Sequence, residues 1–203
     1  MPKLSTVLLI ATLVPVALAT AVAEQPTQTQ APAPARPEFA SMSQGHIKDL
    51  YFDAARQGRD DLVSGLIQSG MHPDERDPHG YTALIIAAYN GQAKTVDLLI
   101  DKGANPCATD TKGNSSLMGV AFKGETAIAQ RLITAHCDVN ARNDAGQTAL
   151  MMAALFGQTD VVKLLLSNGA DAAVRDKAGN TAMSLAQQQA NPRMVALLGH
   201  TGP

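Results

Sequence analysis

Residues 77–106 read DPHGYTALIIAAYNGQAKTVDLLIDKGANP. Asp77 to Gly80 has the composition of a turn. Thr82 follows as a helix N-cap, because its hydroxyl can accept a bond from an orphan backbone N–H. The apolar run Ala83 to Ala88 fits one short helix, which Gly91 ends in the left-handed conformation. Val96, Leu98 and Leu99 recur at helical spacing in a second helix that stops at Gly103. Two short antiparallel helices cannot bury both faces alone, so a neighbouring copy must cover them.

Copies are present on both sides. Gly80, Gly113, Gly146 and Gly179 stand 33 residues apart. Thr82, Ser115, Thr148 and Thr181 keep the same register, as do Leu84, Leu117, Leu150 and Met183. A second glycine column runs Gly58, Gly91, Gly124, Gly157, and a valine column runs Val63, Val96, Ala129, Val162, Val195. The third glycine column is Gly70, Gly103, His136, Gly169, with His136 its one departure. A period of this length means stacked supersecondary units rather than one globular core. The expected fold is an all-α solenoid of about five helix–turn–helix units joined by short β-hairpin loops. The units fall at 44–76, 77–109, 110–142, 143–175 and 176–200. The first lacks the hairpin signature. The last carries the polar run Gln187-Gln188-Gln189 and has Ala190 in place of glycine, so both ends read as caps. Ala129, Arg131 and His136 mark the middle unit as the weakest.

Gly80-Tyr81-Thr82-Ala83-Leu84 with Ala87-Ala88, and Gly146-Gln147-Thr148-Ala149-Leu150 with Ala153-Ala154, resemble the ankyrin repeat, as do the endings LLIDKGANP and LLLSNGADA. The resemblance covers roughly 44–200. The family's T-P-L-H becomes Thr-Ala-Leu-Ile at 82–85 and Thr-Ala-Leu-Met at 148–151. This removes the usual histidine hydrogen bond without touching the fold. The resemblance implies a non-catalytic module that binds a protein partner along a concave face, made by hairpin tips and exposed first-helix positions.

Ahead of the repeats, Lys3, the apolar run Leu4 to Ala19 and Ala21-Val22-Ala23 have the order of a secretory signal peptide over 1–23. The apolar run is short for a membrane span, so no membrane insertion is expected after cleavage. Residues 24–43 are rich in Pro, Ala and Gln and read as a disordered linker. A formal charge of −2 gives no reason to expect nucleic acid as partner. Export to a bacterial periplasm is the expected address.

Two cysteines, Cys107 and Cys137, form a disulfide candidate in an oxidising compartment. A stack spacing of about 10 Å exceeds the Cα separation of a disulfide, so a bridge needs the loop of one unit to lean over the next. Two buried free thiols are the alternative. No His/Cys spacing has the zinc pattern. No G-x-S-x-G, H-E-x-x-H or P-loop occurs, so no catalytic residue, metal or cofactor is expected. Met118, Met151, Met152 and Met183 fall on first helices and read as core filler. Asp97, Asp160 and Lys163 read as a solvated convex face.

Arg56, Tyr89, Phe122 and Leu155 occupy one column, two residues before the helix-ending glycine. With Tyr81 on a hairpin and Phe156 beside the column, they predict a stripe along the groove. Lys112, Lys123, Arg142 and Arg175 flank it. Aromatic residues and Arg are enriched at binding hot spots. The competing reading is that the rings only fill space between hairpins. The expected partner is a protein with an apolar, acidic loop or tail, met by a monomer. Exported bacterial proteins with this resemblance fall into two groups. One comprises immunity proteins that block a secreted toxic enzyme, and the other accessories of a periplasmic catalase in peroxide resistance.

Overall fold

The computed structural model describes residues 42–199. The expected signal peptide, most of the expected linker and His200 lie outside the described residues. Ten helices fill the described chain in five pairs. They are α1 (Gln44–Gln57) with α2 (Asp60–Gln68), and α3 (Ala83–Tyr89) with α4 (Ala93–Asp101). Then come α5 (Ser116–Lys123) with α6 (Thr126–Thr134), α7 (Ala149–Leu155) with α8 (Thr159–Ser167), and α9 (Ala182–Gln188) with α10 (Pro192–Gly199). The first helices pack on one another in order, and the second helices α2, α4, α6 and α8 form a parallel outer row. Each pair is too small to hold a core of its own, so the core is one continuous band through the stack.

The columns explain the elements. Ser43, Thr82, Ser115, Thr148 and Thr181 each accept a backbone N–H three residues on. Each such cap contributes about 1 kcal/mol. Val63, Val96, Ala129 and Val162 are fully buried, and Leu66, Leu99, Leu132 and Leu165 lie against them. Ser43 caps α1 and Met42 packs on the core.

At the N-terminal end, Tyr51 replaces hairpin packing. Its ring is fully buried and its hydroxyl donates to the Pro73 carbonyl at 3.1 Å. Burial, with help from Asp74 and Glu75, pushes that hydroxyl's pKa far above the ordinary phenol value. The Arg131 column is not core: Leu98 and Leu164 in the same register are only half-buried. Arg131 Nε donates to Asp97 at 2.7 Å instead. The middle unit thus loses less than the sequence pattern implies. Asp160 also lies near Lys163, at 3.7 Å.

The loops between units are tighter than hairpins. They hold isolated antiparallel bridges, Arg76 with Thr82 and Thr109 with Ser115, and no named strand among the described residues. Asp77, Asp110, Asn143 and Asp176 each accept two backbone N–H groups through Oδ1, closing the turn. Desolvation works to raise the Asp176 carboxyl, but bonds from the Asn180 side chain and from backbone N–H groups outweigh it and hold it below the usual range. Adjacent turns touch through the backbone: Thr111 N–H to the His79 carbonyl, Asp144 to Lys112, Lys177 to Ala145. Gly80 has φ +81°, and an added Cβ would meet the Thr111 backbone nitrogen at 2.9 Å. Only glycine fits there.

His136 and Ser116 break the local rules, and each carries a prediction. His136 ends α6 at φ 62°, in the left-handed region. His136→Gly should raise stability by about 0.5–1 kcal/mol, read as a higher urea midpoint. Ser116 Oγ is buried without a hydrogen-bond partner, where the other units have Ala83, Ala149 and Ala182. Ser116→Ala should stabilise by about 1 kcal/mol in the same measurement, since an unpaired buried hydroxyl carries a desolvation penalty.

Candidate functional site

The C-terminal ends of α3, α5 and α7 place three rings side by side. Tyr89 stacks on Phe122 with centroids 5.9 Å apart and an interplanar angle of 17°. Phe122 meets Phe156 edge-on at 4.2 Å. Tyr89 is 43% exposed and Phe156 47%, among the largest apolar exposures of the described residues. Phe122 is half-buried between them. The strip turns by one residue from the expected column. Leu155 ends α7 half-buried against the core, and Phe156, the residue after the helix, continues the aromatic line. The rings do pack on one another, as the competing reading requires, yet two of them keep their outer faces in water.

A pocket of about 520 Å³ opens beside the strip, lined by Tyr81, Ile86, Tyr89, Met118, Phe122 and Met152 among others. Gly119 makes room for it. This glycine lies inside α5, where glycine costs about 1 kcal/mol relative to Ala. One repeat away the same register holds Ile86 and Met152. An added Cβ would reach the Tyr89 ring at 3.6 Å, an ordinary contact, so small residues fit and larger ones would fill the pocket. Sequence reasoning missed Gly119. Its signal was visible: a glycine outside all three periodic glycine columns, within an apolar helix. Met152 also lines the pocket half-buried, whereas Met118 and Met151 are core.

The basic residues divide into two sets. Lys123 holds its Nζ 5.2 Å from the Tyr89 centroid, a cation–π contact on the groove. Lys112 is exposed on its turn. Tyr81 sits at the groove's hairpin edge, its ring 6.0 Å from that of His79. Arg56 pairs with Asp53 at the near end. Arg142 and Arg175 are occupied differently. Arg142 donates to the Gly146 carbonyl at 3.2 Å and to the Arg175 carbonyl at 2.6 Å. Arg175 donates to the Gly179 carbonyl at 2.9 Å. Arg76 makes the same pair of bonds, to Gly80 and Thr109. These guanidinium groups tie one turn to itself or to the next, and Arg142 does so with two arms of its fork, which Lys lacks.

Cys107 and Cys137 are bonded to each other, with Cα atoms 5.2 Å apart. The loop after α4 leans far enough to close the gap between units. Among the described residues no group of three or more His, Cys, Asp or Glu is placed to hold a metal. No described helix is long and apolar enough to cross a membrane.

Residues 50–110 and 117–202 match the family described as ankyrin repeats (3 copies). The chain belongs to the ankyrin-repeat family. Ankyrin repeats are protein–protein interaction modules, typically without catalysis. Comparison with curated proteins returned no match.

Proposed function

We propose that this ankyrin stack is a periplasmic, non-catalytic binding protein that grips one partner protein through the Tyr89–Phe122–Phe156 strip. The observation that carries the reading is an apolar surface left exposed beside a pocket that Gly119 keeps open at the expense of helix stability. A bound partner would cover both. Lys123 on the strip and the exposed Lys112 on its turn favour a partner loop that combines apolar anchors with acidic groups. Oxidised cysteines fit an exported protein. Within that address, the role we favour is immunity: the stack occupies a secreted toxic enzyme and blocks it.

The test uses the full chain expressed in its native host. Intact mass of the exported protein should show Glu24 as the new N-terminus. Met1 retained in the membrane fraction would overturn the periplasmic reading. Pull-down from periplasmic extract should recover an enzyme whose activity falls on adding the stack. Recovery of a catalase instead would move the role to support of peroxide resistance. Recovery of the same proteins by a Gly119→Met variant would remove the groove from either account.

A further inference from the structure

Three kinds of side-chain bond recur between neighbouring units, and all three are missing at one internal boundary, as they are where the C-terminal cap packs on unit four. Between units one and two, Asp74 Oδ1 accepts the Asn105 N–H, Arg76 reaches the Thr109 carbonyl, and Gln92 Nε2 donates to the Arg56 carbonyl. Between units three and four the same register repeats. Asn140 Oδ1 accepts the Asp171 N–H, Arg142 reaches the Arg175 carbonyl, and Gln158 Nε2 donates to the Phe122 carbonyl. Between units two and three the matching residues are Cys107, Thr109 and Glu125. Cysteine offers the Asp138 N–H no oxygen acceptor. Threonine is too short to span to the next turn. A glutamate carboxylate has no hydrogen to give the Tyr89 carbonyl. This boundary holds the Cys107–Cys137 disulfide and the Arg131–Asp97 ion pair instead. The ion pair is on the surface and contributes little.

We infer that the disulfide is a redox latch on the groove, standing in for the missing hydrogen bonds between units two and three. This inference rests on the groove reading for its functional consequence, because Tyr89 and the neighbouring Phe122 stand on opposite sides of that boundary. While the bond is closed, the two rings and the Gly119 pocket keep one geometry. A dithiol reductant opens it by exchange. Its thiolate attacks the half-buried Cys107 sulfur, since Cys137 is the more buried partner at 7% exposure. The S–S bond breaks, Cys107 and Cys137 take up two electrons and two protons as thiols, and the reductant leaves as its own disulfide. In the one-dimensional logic of a repeat stack, units one and two then separate from units three to five at the joint the bridge had closed. The segment closed by the bridge spans a separation of 30 residues. Loop closure of that length shifts an opening equilibrium by roughly a hundred- to a thousandfold.

The latch can be read without any partner, so its failure is distinct from failure of the groove reading. Native-state hydrogen exchange is measured on the full chain with and without dithiothreitol. Reduction should speed exchange of the Thr111 amide, which bonds across this boundary to His79, at least tenfold more than that of Asp144, which bonds across the next. Equal acceleration of both would overturn the latch. A combined variant replaces the bridge with the missing bonds: Cys107→Asn, Thr109→Arg, Glu125→Gln and Cys137→Ala together. It should protect Thr111 as oxidised wild type does, with or without reductant, whereas Cys107→Ala with Cys137→Ala should exchange like the reduced chain. Fast exchange in the rebuilt variant, or full protection in the double alanine variant, would sink the idea. Should either variant fail to fold, a dithiothreitol titration of the wild-type chain gives the same comparison of Thr111 with Asp144. Once a partner is in hand, its affinity for the reduced wild type should fall at least tenfold, and the rebuilt variant should bind equally well in both conditions.

Discussion

Gly119→Met should remove partner binding and leave the chain at least as stable as before. Most single losses of function in a binding protein are confounded by loss of structure, and this one is not. Exchanging glycine for methionine inside α5 gains several tenths of a kcal/mol of helix propensity. The added side chain enters the open pocket beside Tyr89, so it buries apolar surface rather than crowding a filled core. The partner's anchor then has nowhere to go. Binding should weaken by about 2 kcal/mol or more, a loss of roughly thirtyfold in affinity, the size of a hot-spot substitution. Calorimetric titration with the partner and a urea melt on the same sample read both halves. Phe122→Ala tests the same site from the other direction, with one difference. Phe122 is half-buried between two rings, so its removal also costs about 1 kcal/mol of stability through the lost aromatic contacts. Phe156→Ala, at a more exposed ring, should lose binding with a smaller change in melting temperature. Normal binding by the Gly119→Met variant would place the partner on another face of the stack.

The repeat was legible because its rules are local. A threonine or serine that caps, a leucine two residues on and a glycine that must take positive φ leave the same mark in the three internal copies, so a fixed period exposes them. The boundaries between copies were less legible. Whether Arg142 faces a partner or a neighbouring turn depends on the distance to a carbonyl 33 residues away, and no pattern within one unit encodes that distance. The aromatic strip was readable only to within one residue. Phe122 and Leu155 share a column, yet Leu155 lies half-buried against the core and Phe156, the next residue, completes the strip. The pocket was hidden for another reason. Glycine in a repeat protein is read first as a turn, and Gly119 is the one in the helical apolar run whose missing side chain matters.

Arg142→Ala should lower stability and spare the groove, the reverse of what a basic residue beside a recognition stripe leads one to expect. Its guanidinium is committed to two carbonyls, Gly146 and Arg175, and so fastens the third unit's turn to the fourth. Bonds from a charged donor are the stronger kind, but this group is exposed and water competes for it. Together the two should contribute about 1–2 kcal/mol. A urea midpoint that falls by that amount, with affinity for the partner within a factor of two under folding conditions, is the expected pair of results. Arg142→Lys should recover little, because a single ammonium cannot reach both carbonyls in the fixed geometry of a guanidinium fork. Lys123→Ala is the contrast. Its amine lies over an exposed ring and holds no carbonyl bond among those described, so it should leave the melt unchanged and slow association with an acidic partner, most visibly at low salt. If instead Arg142→Ala melts like wild type and binds poorly, the guanidinium leaves its carbonyls to meet the partner. The recognition surface then extends from the first helices down onto the turns.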